Sequence, residues 1–177
     1  MSIFQFYRSP ILRASTLAAL SLSVVGLLPA IASSVALPES SEAVVAQYYI
    51  EDEIAYLKQS GRRWIEIDLT WQRLFAWEGR SQVHAVIVST GKDETPTPTG
   101  VFAIYAKLPE ASMEGEDYYI DDVPYVMYYD GNFGIHGAYW HNSFGTPISH
   151  GCTNVAVDHA EWLYHWASVG TPVVVHY

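Results

Sequence analysis

Residues 135–154 read IHGAYWHNSFGTPISHGCTN and contain the only cysteine of the 177-residue chain, Cys152. Ser, His and Gly precede this cysteine, and Thr and Asn follow it. A cysteine that serves only as a small apolar core residue would have apolar residues alternating around it. The polar neighbours therefore favour a reactive thiol over a core residue.

A nucleophilic thiol needs a nearby base or cation to hold it as thiolate, and this stretch offers two histidines. His136 lies sixteen residues before the cysteine, and His150 lies two residues before it, on the same face of an extended segment. The residues alone do not choose between them. Gly151 has no Cβ, so its N–H and that of Cys152 could approach a substrate carbonyl and bind a developing oxyanion. Thiol, imidazole and oxyanion hole together predict acyl transfer.

The competing chemistry is a zinc site formed by His136, His141, His150 and Cys152. Their spacings of five, nine and two residues match no common zinc pattern. We therefore expect neither a metal nor another cofactor. The remaining histidines are interpreted as surface or structurally satisfied residues: His84, His159, His165 and His176.

The composition narrows the possible partners. The formal net charge is −10, from 9 Lys+Arg and 19 Asp+Glu, which argues against nucleic acid because a phosphate-binding surface needs excess cations. Half of the residues are apolar and 14% are aromatic. That excludes a disordered chain and is typical of a β-rich fold, an aromatic-lined groove or both.

The first 36 residues have the three regions of a secretory signal peptide. Arg8 and Arg13 precede an uncharged apolar stretch over 14–36, which ends with two small-residue cleavage sites. An uncleaved membrane anchor of the same composition is the alternative. We expect cleavage and export to the periplasm or cell wall, with membrane contact only through an uncleaved leader.

The rest of the chain predicts a mostly β domain. Residues 37–61 are expected to be a linker with a short helix over 51–60, and the domain is expected to span 62–177. Apolar residues alternate with polar ones in several short segments, which indicates half-buried strands. The predicted strands are 65–69, 74–77, 84–89, 101–106, 125–129, 133–137 and 173–176.

Two loops and one helix complete this prediction. Residues 91–100 contain two prolines between glycines, which is typical of a loop of fixed shape. Residues 109–124 contain six acids and no base, and are expected to be a long exposed loop that could act as a lid. A helix is predicted over about 158–169, capped by Asp158 and ended by Gly170. Its apolar stripe would be Trp162, Leu163, Trp166 and Val169.

Three parts of the chain resemble the L,D-transpeptidase catalytic domains of bacterial cell-wall enzymes. They are the strand pair over 65–78, Ser89-Thr90-Gly91 with Thr97-Pro98-Thr99-Gly100-Val101-Phe102, and His136-Gly137 with Ser149-His150-Gly151-Cys152 and Asn154. The resemblance covers roughly residues 62–177. It implies a β-sandwich-like fold with mixed sheets and one helix packed beside the site.

The resemblance also implies roles for individual residues. Cys152 would be the nucleophile and His136, rather than His150, its base, with the backbone carbonyl of Gly137 orienting the imidazole. The residues that would form the oxyanion side and shape the site are His150, Gly151, Ser149 and Asn154. Thr153 departs from the apolar residue usual at its position, which we expect to affect packing rather than chemistry.

The implied reaction has two steps. Cys152 attacks the carbonyl of the third residue of a peptidoglycan stem tetrapeptide and releases D-alanine, and an amine of another stem's diamino acid takes the thioester to give a 3→3 cross-link. Family members can instead use water or attach a protein, and carbapenems acylate the same thiol. The partners would be donor and acceptor stems, and we expect a monomer. A wall-binding module without activity is disfavoured because it need not retain a thiol.

Two groups of residues are candidates for the substrate groove. Tyr139, Trp140 and Phe144 lie between the halves of the signature and would line the groove or pack in the core. Acidic residues of the 109–124 segment, Asp121 and Asp122 among them, would attract the acceptor amine, or would simply form a solvated loop.

Overall fold

The computed structural model describes residues 39–115 and 118–177, so the signal peptide predicted over 1–36 lies outside the described residues. In the described residues, two mixed β-sheets and two helices form the fold, which confirms the predicted mostly β class. The helices are α1 (Glu39–Ser60) and α2 (Val157–Trp166), and the strands are β1 (Arg63–Asp68), β2 (Arg73–Glu78), β3 (Ser81–Ile87), β4 (Gly100–Ala103), β5 (Ala106–Glu114), β6 (Tyr119–Asp130), β7 (Phe133–Gly137), β8 (Thr153–Val155) and β9 (Pro172–His176).

The first sheet has the strand order β3-β2-β1-β9-β4. Its β1–β2 hairpin pairs Ile65 with Ala76 and Ile67 with Leu74, and these four side chains are buried. Strand β9 lies parallel to β1 and antiparallel to β4. The period-two alternation of the sequence thus forms the hairpin predicted from it.

The second sheet has the order β5-β6-β7-β8. A tight turn at Gly131 and Asn132 joins β6 to β7, as the sequence predicts. Strand β8 lies parallel to β7, and its register puts Asn154 opposite His136. This pairing brings together two segments of the signature that are eighteen residues apart in the sequence.

Strand β9 is buried on both faces because it lies between two apolar clusters. Val173 and Val175 join the main core, with residues of both sheets and α2, while Val174 packs in a smaller cluster with Leu57 of α1 and Trp64. Helix α1 is therefore part of the fold. It begins at Glu39, so the helix predicted over 51–60 is longer and takes in most of the predicted linker. Neither described helix is both long and apolar enough to cross a membrane.

Residues 109–114 and 119–124 of the acidic segment lie in the paired strands β5 and β6, so the predicted loop is wrong for these residues. Strands β5 and β6 pair Lys107 with Met127 and Ala111 with Val123. No residue of β5 is buried, whereas four residues of β6 are. The described acids of the segment, Glu110, Glu114, Asp121 and Asp122, are exposed. They interrupt the alternation of apolar and polar residues that would have predicted strands, which explains why a loop was predicted.

Helix α2 also differs from its prediction. Its N-cap is Ala156, without a side-chain cap bond, instead of Asp158, and it ends at Trp166 before reaching Gly170. Ala160 and Leu163 are its buried residues. The predicted stripe is wrong for Trp162 and Val169, which are exposed. A short helix on a sheet buries only a narrow stripe, and the side chains next to it point to solvent.

Candidate active site

Cys152 lies directly before β8 and is half-buried. Its Sγ is 3.6 Å from the carbonyl oxygen of Asn132, in the turn before β7. Burial raises the pKa of the thiol, and a hydrogen bond from the Gly134 backbone partly opposes this rise. The thiol is therefore protonated at neutral pH.

His136 lies on β7 and is almost fully buried. Its Nδ1 is 3.1 Å from the carbonyl oxygen of Gly137. Because a carbonyl oxygen can only accept, Nδ1 carries the proton and Nε2 is left unprotonated as the basic atom. This contact matches the orienting role that the resemblance implies for Gly137.

Burial lowers the pKa of His136 to about 4, so its imidazole is neutral at pH 7. The sequence predicts a histidine that holds Cys152 as thiolate. The pKa directions instead favour a neutral thiol beside a neutral base, which forms the thiolate only when the proton moves to Nε2 during attack.

The loop before Cys152 is locked by its own hydrogen bonds. The Gly151 N–H donates to the Ser149 hydroxyl at 3.0 Å, and that hydroxyl donates to the Cys152 carbonyl at 2.5 Å. Gly151 has a φ of +113°, and a Cβ there would lie 2.3 Å from Cε1 of Phe133. The Gly151 N–H, expected to bind the oxyanion, instead donates to the Ser149 hydroxyl. Of the two expected donors, the Cys152 N–H is therefore the remaining candidate.

The proline-rich loop 91–100 makes hydrogen bonds to the backbone of this turn. The Thr97 hydroxyl donates to the Gly151 carbonyl at 2.8 Å, and the Thr95 hydroxyl donates to the Ser149 carbonyl at 3.0 Å. The Gly91 N–H in turn donates to the Thr97 hydroxyl. The loop therefore fixes the backbone on both sides of His150.

Two cavities meet at Cys152. The first has a volume of about 240 Å³ and contains His136 and Asn154, and the second has about 210 Å³ and is lined by Glu114 and Asn132. The first cavity is also lined by Met113, Tyr118, Ile120, Trp140, His141, Ile148, Ser149 and His150. Tyr118 stacks on His150 with ring centroids 4.3 Å apart, so the β5–β6 hairpin lies over the site.

A family model for the L,D-transpeptidase catalytic domain (YkuD) matches residues 62–175. The chain belongs to this family. Its fold is that of an L,D-transpeptidase domain.

Related proteins agree with this assignment. L,D-transpeptidase 2 of Mycobacterium tuberculosis is 32% identical over 108 residues, 52% of this chain and 26% of that protein. A Mycobacterium smegmatis L,D-transpeptidase structure has a TM-score of 0.62 at 28% identity, covering 66% of this chain and 59% of that one. An Enterococcus faecium L,D-transpeptidase, solved as a cysteine-to-serine mutant, gives 0.61 at 30% identity, with 64% and 49% covered. The chain spans 26% to 64% of the length of the curated relatives it matches.

The two cavities at Cys152 include only part of the predicted groove. Trp140 lines the first cavity, whereas Tyr139, Phe144, Asp121 and Asp122 line neither. The Asp121 carboxylate accepts hydrogen bonds from the hydroxyls of Ser112 and Tyr119, and its backbone carbonyl accepts one from Tyr139. Met113, Tyr118 and Ile120 were missed because their segment was predicted to be a loop. Among the described acids of this segment, Glu114 lines the second cavity.

The zinc arrangement left open by the sequence is not assembled. Among residues 39–115 and 118–177, no three His, Cys, Asp or Glu side chains are grouped so that they could hold a metal ion. The other histidines have the structural partners expected of them: His84 contacts His159 at 3.1 Å, and His176 contacts Glu66 at 3.0 Å.

Proposed function

We propose that the protein is a peptidoglycan L,D-transpeptidase with Cys152 as nucleophile and His136 as base. The observation that carries this proposal is the contact between Nδ1 of His136 and the Gly137 carbonyl, which leaves an unprotonated Nε2 in the cavity that also holds the thiol. Because stem peptides lie outside the cytoplasm, the proposal also needs export, for which the predicted signal peptide over 1–36 would serve.

The two half-reactions use the same pair of groups. In the first, Nε2 of His136 takes the proton of the Cys152 thiol as sulfur attacks the donor carbonyl, and the Cys152 N–H binds the oxyanion. The imidazolium then protonates the leaving amine of D-alanine, and a thioester remains. In the second, the acceptor amine attacks the thioester, Nε2 takes its proton, and the proton returns to sulfur as the thiolate leaves.

A structural neighbour supports acylation as the first step. An L,D-transpeptidase described as a carbamoyl enzyme with avibactam has a TM-score of 0.61 to this chain at 31% identity. Intact mass measured after incubation with a carbapenem tests the step here, and we expect one covalent adduct on the wild type and none on Cys152→Ala. An unmodified wild type, or an adduct on the variant, would refute the proposed nucleophile.

The second cavity favours transfer over the alternative of hydrolysis by an L,D-carboxypeptidase. It is also lined by Cys152, and its residues Ser112, Glu114, Tyr128 and Asn132 do not line the first cavity, so an acceptor could approach while the donor acyl group fills the first cavity. Incubation with purified muropeptides, with and without an acceptor amine, separates the two reactions. We expect cross-linked dimers, and tripeptide as the sole product with the acceptor present would identify a hydrolase.

Among the acids of the 109–124 segment expected to attract the acceptor amine, Glu114 is the best candidate, because it lines the second cavity whereas Asp121 and Asp122 line neither cavity. Glu114→Gln should lower the ratio of cross-linked to hydrolysed product about threefold to tenfold, the effect of one partly solvated charge. Asp122→Asn is the matched control, since this exposed carboxylate lines neither cavity. Equal changes in both variants would show that only the net charge of the hairpin matters.

A further inference from the structure

The ring of His141 lies between two hydrogen-bonding groups of the site. The backbone N–H of Ser143 donates to Nδ1 at 3.1 Å, and Nε2 is 2.9 Å from the side-chain amide of Asn154. A backbone N–H can only donate, so Nδ1 is the acceptor and carries no proton. A neutral imidazole has one N–H, which must therefore lie on Nε2.

This proton fixes the orientation of Asn154. The side-chain nitrogen of Asn154 is placed next to Nε2 of His141, where both groups would be hydrogen-bond donors and no acceptor would lie between them. The oxygen and nitrogen of an amide have the same shape, so their assignment follows from the hydrogen-bond network. The oxygen of Asn154 must face Nε2–H, and its NH2 group must face away from the ring.

The backbone of Asn154 is held as firmly as its side chain. Its N–H donates to the Ser89 carbonyl at 2.8 Å, and its carbonyl accepts from the Ser89 N–H at 2.9 Å. Asn154 lines the first cavity together with Cys152 and lies opposite His136 in the sheet register. The side-chain amide of Asn154 therefore lies beside the first cavity, where the acyl donor would bind.

We propose that His141 fixes the Asn154 amide with its NH2 group toward the first cavity, where it donates a hydrogen bond to a carbonyl or carboxylate oxygen of the acyl donor. The assignment of that ligand rests on the proposed function, whereas the tautomer does not. His141 is in this scheme a positioning residue, and Asn154 makes the contact. Burial lowers the pKa of His141, so the neutral ring that the scheme requires persists at neutral pH.

Nuclear magnetic resonance measures the tautomer directly. Long-range proton–nitrogen correlation spectra of the ¹⁵N-labelled protein at pH 7.5 distinguish a protonated from an unprotonated ring nitrogen, and His141→Gln identifies the signals. We expect Nε2 protonated and Nδ1 unprotonated. The opposite tautomer, or equal populations of both, would overturn the proposal even if the protein is an active transpeptidase.

Asn154→Asp tests the direction of the amide. An aspartate keeps an oxygen toward Nε2–H of His141 and presents oxygen instead of NH2 to the cavity. We expect a tenfold to hundredfold drop in the efficiency of acylation by imipenem, mainly through weaker binding before the chemical step, with the His141 tautomer unchanged. A changed tautomer, or unchanged binding of imipenem, would contradict the assigned orientation.

His141 itself is tested by two variants of similar size. His141→Phe has no donor for the Asn154 oxygen and should weaken imipenem binding about tenfold, whereas His141→Gln restores an N–H at a similar reach and should stay within threefold of the wild type. Equal losses in both would show a packing role only and overturn the positioning role. If imipenem acylates none of the proteins, the wild type included, the proposed function fails while the tautomer measurement still decides the orientation.

Discussion

Burial has opposite effects on the two groups that carry the proposed chemistry. It lowers the pKa of His136 to about 4 and raises the pKa of Cys152, because in each case the charged form loses hydration. Both groups are therefore uncharged at neutral pH. A neutral thiol is oxidised less readily than a thiolate, and it becomes the nucleophile when a base takes its proton during attack on a bound carbonyl.

The pH dependence of alkylation follows from the raised pKa of Cys152. The rate with iodoacetamide should rise about tenfold per pH unit between pH 6 and 8 without a plateau, since only a small fraction is thiolate there. Cys152 is the only cysteine, so intact mass reports it without interference. A rate that is constant over this range would instead indicate a preformed thiolate–imidazolium pair.

Both the backbone conformation and the neighbouring side chain require a glycine at position 151. Gly151→Ala places a Cβ 2.3 Å from Cε1 of Phe133 at a φ of +113°, so the turn that carries Cys152 must shift. We expect at least a hundredfold slower carbapenem acylation and a loss of about 1–3 kcal/mol in the free energy of unfolding.

Gly170→Ala is the matched control for that prediction. Gly170 has a φ of +89°, and a Cβ added there would meet no atom within 4 Å, so the substitution strains the backbone without a clash. It should cost about 1 kcal/mol of stability and leave acylation unchanged. Similar acylation losses in both variants would show that general destabilisation, rather than the turn geometry, explains the effect.

At the scale of elements, a half-buried polar pair joins two parallel strands of the first sheet. Nε2 of His176 on β9 is 3.0 Å from a carboxylate oxygen of Glu66 on β1. The Glu66 hydrogen bond is the main cause that raises the pKa of His176. The charged pair therefore stabilises the folded state below the unfolded pKa of about 6.5, and this contribution is lost as pH rises through the raised pKa of the folded state.

His176→Gln should remove this pH dependence. Between pH 6 and 8.5 the stability advantage of the wild type over the variant should shrink by about 0.5–1.5 kcal/mol, measured by urea unfolding at each pH. His165→Gln, at an exposed position of α2, is the control and should keep the wild-type slope. A constant difference between the wild type and His176→Gln would contradict the linkage.

At the scale of the whole molecule, α1 belongs to the folded unit. Leu57 is fully buried against Trp64, and the Trp64 indole N–H donates to the Gly79 carbonyl at 2.9 Å. A protein that begins at residue 62 would expose this cluster to water. The boundary predicted from composition therefore cuts through the packing of the first sheet.

Leu57→Ala measures this contribution of α1. The truncation should lower the free energy of unfolding by about 2–4 kcal/mol, because it removes buried methyl groups and leaves a cavity. Tyr56→Ala, at a neighbouring side chain that is 57% exposed, should change it by less than about 0.5 kcal/mol. Equal small effects, measured by chemical denaturation, would show that α1 is not required for stability.

Particular elements show how far the sequence predicts this fold. The β1–β2 hairpin is signalled by the alternation over residues 65–69, and the β6–β7 hairpin by the glycine turn after Asp130. Both signals depend only on neighbours in the sequence, so both hairpins were predicted correctly. The β5–β6 hairpin and the start of α1 were not, because their exposed acids and small residues give no clear period. Helix α1 packs against Trp64 of β1 and Val174 of β9, and β5 pairs along its length with β6.

The order of residues along the chain was enough to predict the chemistry proposed for the site, from a single thiol in a polar signature with a histidine and glycines at characteristic spacing. Which atoms are available for that chemistry became clear only from the folded chain. The engaged N–H of Gly151, the protonated Nδ1 of His136 and the hairpin over the site all follow from contacts made in three dimensions. A hydrogen bond and the dielectric around a group depend on what surrounds it in space, and the spacing of residues along a chain does not specify that.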